Sequence, residues 1–259
     1  MTRKILVKLG GTLLDEPESR TRLARELTEI SQHPYIRMTV VHGGGKQMTR
    51  FLAERGVESK FIGGLRVTTP EVIDAVLKVF AGTVNHTLVA ALVAAGALPV
   101  GLTGIDAALT EAEQWSPELG AVGKPIRCNA ALLDLLTAHG YLPVVACVAG
   151  DRAGNIYNVN ADQMAAACAA GFGASELLFL TDVPGVMDAS KQILRRLDRA
   201  ASEALIRDGI ATGGMQAKLE AAHRALDGGV AEVVIAPGAL PGVMARLAAG
   251  ESLGTRLVR

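Results

Sequence analysis

Apolar residues in this chain gather in short runs that stop at glycine. The runs alternate with stretches where apolar residues recur every three or four positions. Lys4-Ile5-Leu6-Val7-Lys8-Leu9 ends at Gly10-Gly11, and Ile36-Arg37-Met38-Thr39-Val40-Val41 ends at His42-Gly43-Gly44-Gly45-Lys46. A short apolar run bounded by glycine reads as a buried strand. Similar runs predict strands over 98–102, 142–147, 176–180, 231–235 and 255–258. Leu23, Leu27 and Ile30 lie at helical spacing and predict a helix over 20–31, after a polar turn at 15–18 and closed by Pro34. Met48, Phe51 and Leu52 form one face of a second helix running to about residue 55. Further helices are expected over 70–95, 130–139, 160–170, 199–208, 215–227 and 242–248. Thr69 and Pro70 suit the N-cap and first position of the long one, and Gly82 is a candidate break in it. Asn160 suits an N-cap, which puts Asp162 in a first turn. Residues 61–68 read as a hairpin turning at Gly63-Gly64. Residues 105–128 hold Trp115 and two prolines without a clear period, and read as an excursion of short antiparallel strands forming a lid over a site.

Strands alternating with helices argue for an α/β fold with a mostly parallel sheet covered on both faces. No repeat period and no long linker divides the 259 residues. Hydrophobic residues make up 49% and aromatic ones 3%, so the core must be aliphatic. The 26 basic and 26 acidic residues cancel, which argues against a nucleic-acid partner. Cys128, Cys147 and Cys168 are odd in number and show no C-x-x-C spacing, so they read as buried thiols of a reducing compartment. No apolar leader precedes the first strand and no segment is expected to reach the length of a membrane span. A cytoplasmic protein without membrane contact is expected.

Lys8 carries the first chemical signal. An ammonium near the end of a buried strand needs either an internal carboxylate or a bound anion. Two strands run into glycine-rich loops that open helices, and such loops present backbone N–H groups to anions. Gly45-Lys46 lacks the upstream glycine and following Ser or Thr of a P-loop, Gly123-Lys124 is followed by Pro125, and no G-x-G-x-x-G occurs. The protein-kinase H-R-D and D-F-G elements are missing too. His42-Gly43-Gly44-Gly45 could serve as the oxyanion loop of an esterase, yet no serine sits in a G-x-S-x-G elbow. Lys218, in the first turn of a helix after Gly213-Gly214, opposes the helix dipole unless an anion binds there. Taken singly, Lys218 reads as a solvated lysine and Asp162 as a helix-start acid. Arg66 reads equally well as half of a hairpin ion pair or as a ligand contact. Lys46 reads as solvated, and His42 as a packing or loop-bonding residue. Together Lys8, Lys218, Asp162 and Arg66 suggest phosphoryl transfer by positioning and charge neutralisation.

Six stretches then fall in a familiar order: Lys8-Leu9-Gly10-Gly11, Val41-His42-Gly43-Gly44-Gly45, Gly64-Leu65-Arg66-Val67-Thr68, Asn158-Val159-Asn160-Ala161-Asp162, Thr181-Asp182-Val183-Pro184-Gly185-Val186 and Gly213-Gly214-Met215-Gln216-Ala217-Lys218. In this order the chain resembles the amino acid kinase family over essentially its whole length. The resemblance implies a three-layer α/β/α sandwich, with residues 1–175 binding an acyl amino acid and forming a homodimer, and residues 176–259 binding ATP. It implies ATP-dependent phosphorylation of the side-chain carboxylate of N-acetyl-L-glutamate, in arginine biosynthesis, with Mg²⁺ accompanying ATP and no residue assigned as a metal ligand. Lys8 and Lys218 would neutralise the transferring phosphoryl, and Asp162 would orient them. Gly44, Gly45, Arg66, Asn158 and Asn160 would bind the acyl amino acid. Gly10, Gly11, Asp182, Val183, Pro184, Gly185, Val186, Met187, Ile210, Ala211 and Thr212 would hold the nucleotide. The first strand starts at once, without the long leading helix of the arginine-inhibited hexameric relatives, so a dimer insensitive to arginine is expected. Ile105-Asp106-Ala107-Ala108 departs from the family pattern, where a glycine follows the aspartate. The departure leaves the acyl group open, with N-succinylglutamate as an alternative. Separately, a kinase of carrier-bound aminoadipate is the main enzymatic alternative, and a non-catalytic amino-acid-binding regulator on the same fold is a third reading, which loss of Lys8, Lys218 or Asp162 would favour and their presence does not.

Overall fold

The computed structural model describes residues 2–259. Strand β1 (Arg3–Leu9) leads into a short helix α1 (Gly11–Asp15), then α2 (Pro17–Ser31), β2 (Ile36–His42) and α3 (Gly45–Ala53). The hairpin β3 (Phe61–Ile62) and β4 (Leu65–Arg66) precedes a long helix, in which α4 (Pro70–Val76) and α5 (Asn85–Ala94) are joined by a π-helical stretch, Leu77–Val84. Next come β5 (Pro99–Thr103), β6 (Thr110–Gln114), β7 (Val122–Cys128), α6 (Ala131–Ala138), β8 (Leu142–Ala146), β9 (Val148–Gly150) and β10 (Ile156–Val159). The chain ends through α7 (Ala161–Phe172), β11 (Glu176–Thr181), β12 (Arg196–Leu197), α8 (Arg199–Arg207), α9 (Gly213–Asp227), β13 (Glu232–Pro237), α10 (Val243–Ala248) and β14 (Thr255–Leu257).

Eight strands form the central sheet in the order β12-β14-β13-β11-β1-β2-β8-β5. Every neighbouring pair is parallel except β13 and β14. β1 lies inside the sheet, with Lys8 in register between Val41 of β2 and Phe179 of β11. That explains the near-continuous apolar runs, because an inner parallel strand is covered on both faces. Helices α2 and α5 pack together and on β2, β5 and β8, while α6 packs on β2 and β8, α7 on β1, β2 and β11, and α9 on β13, with α7 against both α6 and α9, completing an α/β/α sandwich. The core is aliphatic, as the composition required, and the three cysteines are free thiols.

Four expectations need correction. The polar turn at 15–18 is interrupted by α1, and α2 starts at Pro17, whose missing N–H costs nothing at a helix start. Gly82 does not break the long helix; the chain widens into the π stretch and continues as α5. Among the described residues, this 25-residue helix, Pro70–Ala94, is long and apolar enough to cross a membrane by length and composition, contrary to expectation. Here its inner face, with Val72, Val76, Val79, Leu88 and Leu92 buried, packs against protein. Finally, residues 105–128 are not a separate lid. β6 and β7 are antiparallel, as expected, but β9 and β10 close them into a four-stranded barrel. Gly123 permits that closure: a Cβ there would lie 2.5 Å from Cβ of Tyr157. The excursion is therefore a packed wall beside the sheet.

The family departure at residue 107 has a backbone meaning. Ala107 and Ala108 both adopt left-handed conformations, with φ of 50° and 51°. The turn that glycine would make without cost is kept, and alanine bears the strain. Asp106 supports it, accepting from the Thr103 backbone N–H at 2.6 Å and the Thr103 hydroxyl at 2.8 Å.

Candidate active site

Lys8 points from the end of β1 into the interior, with 6% of its surface exposed. Its partner comes from the start of α7. Asn160 caps that helix, its Oδ1 accepting from the backbone N–H of Asp162 at 2.9 Å and of Gln163 at 3.2 Å. The cap fixes the first turn and so the Asp162 side chain. Lys8 Nζ lies 2.7 Å from Asp162 Oδ1, and Lys218 Nζ, from α9, lies 3.2 Å from Asp162 Oδ2. The expected carboxylate between two lysines is thus present, drawn from three separate elements. Burial alone would push the Asp162 carboxyl up; the Lys8 and Lys218 ammonium groups overcome it and hold it below its ordinary value.

Arg66 faces the same cavity as Lys8 and Asp162. It has no carboxylate within ion-pair distance among the described residues. One of its two sequence readings is thereby removed: it is not half of a hairpin ion pair. Its guanidinium is held by neutral groups instead, donating to the Ser59 hydroxyl, to Thr49 Oγ1 at 2.8 Å and to the Gly45 carbonyl at 3.3 Å, and it lies 4.7 Å from the centre of the Phe61 ring. Burial without a counter-ion lowers its pKa from the ordinary value. Three cations and one carboxylate therefore surround this region, an excess of charge that anions must balance.

The glycine loops supply the rest. A Cβ on Gly11 would lie 3.2 Å from the Gly45 nitrogen, so the loops after β1 and β2 meet at their glycines. Helices α1, α3 and α9 all start without a side-chain cap, leaving their first N–H groups for other acceptors. The cavity holds about 210 Å³ and is lined by Lys8, Gly11, Gly43, Gly44, Gly45, Arg66, Asn158, Asn160 and Asp162. Apolar groups, Phe61, Leu65, Phe80, Val122 and Val159, complete it. This is smaller than the roughly 300–1,000 Å³ of drug-sized sites and suits a small, mostly polar ligand with an apolar end. Asn158 donates to the Thr68 hydroxyl at 3.0 Å, tying the barrel to the hairpin.

Apart from Gly10 and Gly11, the residues expected to hold the nucleotide lie elsewhere. Asp182, at the end of β11, accepts from Thr181 at 3.1 Å and from Thr12 of α1 at 3.4 Å, and it feels the charge of Lys218. Val183, Pro184, Gly185, Val186 and Met187 continue from it, the Val186 N–H donating to Thr255 at 2.8 Å. Ile210, Ala211 and Thr212 lead directly into α9. None of these lines the cavity at Lys8, while Gly10 and Gly11 stand between the two regions. Lys46 is exposed, and His42 is buried and bonded within its loop, as the sequence suggested. Several contributors had no sequence signal: Ser59, Thr49 and Phe80 stand in none of the motifs, and Cys147 read only as a buried thiol. Burial pushes the Cys147 thiol up to about 12, so this cavity-lining group is neutral.

Glycine loops at the carboxyl ends of parallel strands, with buried Lys8 on β1 and half-buried Lys218 on α9 sharing Asp162, define a phosphotransferase-type site. The chain matches the profile of the amino acid kinase family over residues 3–237, and it belongs to that family. It is 64% identical over 255 residues to acetylglutamate kinase of Solibacter usitatus, covering 98% of this chain and 99% of that one. It is 39% identical over 270 residues to acetylglutamate kinase of Brucella anthropi, covering 99% and 91% of the two chains. The N-acetylglutamate synthase of Neisseria gonorrhoeae, solved with coenzyme A and N-acetyl-glutamate, has the same fold, with a TM-score of 0.87 at 24% identity. That match covers 99% of this chain and 59% of that longer one.

Proposed function

We propose that this chain transfers the γ-phosphoryl of ATP to the side-chain carboxylate of N-acetyl-L-glutamate, giving an acyl phosphate and ADP, a step of arginine biosynthesis. The carrying observation is the Lys8–Asp162–Lys218 cluster, of which Lys8 and Asp162 line one small cavity with the unpaired Arg66. The identity to two acetylglutamate kinases supports the same reading.

Arg66 grips the α-carboxylate with its planar fork, which is largely buried and lacks a counter-ion. The apolar wall of Phe61, Phe80 and Val122 receives the acyl end, and Asn158 and Asn160 lie beside it. The side-chain carboxylate then lies toward Gly44 and Gly45 and attacks the γ-phosphorus in line. It is ionised at neutral pH, so no general base is needed. Charge on the transferring group develops between Lys8 and Lys218, whose positions Asp162 holds in advance. The backbone N–H groups of Gly11 and Thr12, which open the uncapped α1, and the nearby Lys218 fit the phosphate end of a nucleoside triphosphate; the Gly10 N–H is taken by the Leu180 carbonyl at 3.0 Å. Asp182 to Met187 and Ile210 to Thr212 are assigned to the rest of it. Mg²⁺ enters with ATP: both Asp162 oxygens are engaged by lysines, and among the described residues no cluster of three or more metal-ligating side chains occurs. We further infer a homodimer, supported by exposed Val93, Leu98 and Tyr141 around the free edge of β5.

An ATP-dependent hydroxamate assay tests the reaction with N-acetylglutamate, N-succinylglutamate, glutamate, aspartate and N-acetylaminoadipate. Acyl phosphate from N-acetylglutamate above the others is expected. Silence on all five would overturn the kinase assignment, and preference for another acceptor would overturn the acetyl group.

A further inference from the structure

One buried polar side chain behind the glycine loop takes no part in the reaction. Asn85 directly succeeds the π stretch and is 1% exposed. Its Nδ2 lies 2.9 Å from the Val144 carbonyl and 2.9 Å from His42 Nε2. A carbonyl can only accept, so the Asn85 amide must turn its NH₂ toward Val144 and therefore also toward His42. His42 Nε2 must then accept, and the ring proton stands on Nδ1. That nitrogen lies 3.0 Å from the Gly43 carbonyl, so Nδ1–H donates to it. Burial lowers the His42 pKa to about 4, so the ring stays neutral at neutral pH and the tautomer choice is real.

Peptide planarity carries this choice into the loop. In a planar trans peptide the C=O of Gly43 and the N–H of Gly44 point opposite ways. Anchoring the Gly43 carbonyl on His42 aims the Gly44 N–H away from the ring. Gly44 belongs to neither a strand nor a helix, and no protein acceptor takes its N–H among the described residues. Gly44 also lines the cavity at Lys8. Its α-carbon side is pressed from behind: a Cβ would lie 2.9 Å from the Phe80 ring and 3.2 Å from Val84. Phe80 and Val84 come from the π stretch, whose wider turn sets their phase together with that of Asn85.

We propose that Asn85 is a positioning residue: by fixing the Nδ1–H tautomer of His42 it locks the Gly43–Gly44 peptide, so that the Gly44 N–H is presented to an anionic oxygen of the reacting substrates. The proposal deepens the kinase reading and rests on it for the identity of that oxygen.

The test pairs a spectroscopic readout with kinetics on the full chain. The ¹⁵N shifts of the His42 ring, assigned by comparison with His42→Asn, report the tautomer without any need for activity. A protonated Nδ1 and an unprotonated Nε2 are expected in the native protein. The reverse pattern overturns the proposal whatever the activity. Asn85→Ala removes the donor and should lower kcat roughly ten- to a hundredfold, with KM for ATP within about twofold. Unchanged turnover in a folded Asn85→Ala overturns it. Should that variant fold poorly, His42→Asn and His42→Gln decide. The first keeps an N–H donor near the Nδ1 position and should retain more turnover than the second, and equal turnover overturns the proposal. A native protein silent on every acceptor, but with the expected tautomer, contradicts the kinase reading and with it the substrate oxygen, leaving the His42 anchor standing.

Discussion

Buried Asp162 pairs with two ammonium groups, so its removal leaves like charges facing each other. Asp162→Asn should destabilise the chain by about 3–5 kcal/mol in chemical denaturation and also lower turnover. Arg66→Lys keeps the charge but loses the fork. It should raise KM for N-acetylglutamate about tenfold or more, with KM for ATP little changed in the same steady-state assay. His42 carries a pH signature. Its folded pKa, about 4, lies below the ordinary value of 6.5. Between those values the unfolded chain binds more protons than the folded one, so stability falls as pH falls. The loss amounts to roughly 3 kcal/mol by the lower end of the window. His223 is shifted the same way, so the difference between native and His42→Asn unfolding curves from pH 7 to 4.5 isolates the contribution. A flat difference would contradict it. At this scale the sequence was legible where a charge stood out of place. Lys8 in an apolar strand demanded a partner, and Asp162 behind a good N-cap was available. Arg66 was not decidable alone, because its missing counter-ion is a fact of three-dimensional placement.

Elements bounded by strong local chemistry were read well. Thr69 caps α4 through a 3.3 Å bond to the Val72 N–H with Pro70 behind it, and Gly63 and Gly64 turn the β3–β4 hairpin with φ of 55° and 79°. The π stretch was not legible, since one extra residue per turn changes no composition and merely rotates the residues beyond it. Yet it is this stretch that places Phe80 and Val84 against the glycine loop and Asn85 behind His42. Gly44→Ala should accordingly fail through backbone displacement, losing turnover by tenfold or more while Gly214→Ala, with open space around it, keeps its fold in thermal melts. The barrel of β6, β7, β9 and β10 was only half legible, because its closure joins strands far apart in sequence. Its turn offers a gain: Ala107→Gly relieves a left-handed alanine and should raise stability by about 1 kcal/mol, visible as a higher Tm.

Across the whole molecule, alternation of strand and helix was enough to assign a parallel sandwich, and the lack of aromatics fitted its aliphatic core. Strand order was not readable: β1 ends up between β2 and β11 because the chain returns to the centre only after α7. That return is what brings Lys8, Asp162 and Lys218, 210 residues apart at the extremes, to one point. The free β5 edge and its exposed apolar neighbours predict association, so sedimentation velocity at micromolar concentration should report a dimer, and Leu98→Lys with Tyr141→Lys should shift it to monomer.

The central claim is that the two lysines act on the transferring phosphoryl. Its most direct measurement is the single-turnover rate of phosphoryl transfer from ATP to N-acetyl-L-glutamate by Lys8→Ala beside the native chain. A rate lower by about a hundredfold or more, with ATP affinity within about threefold, is the expected result. An unchanged rate, or a loss confined to ATP binding, would contradict it.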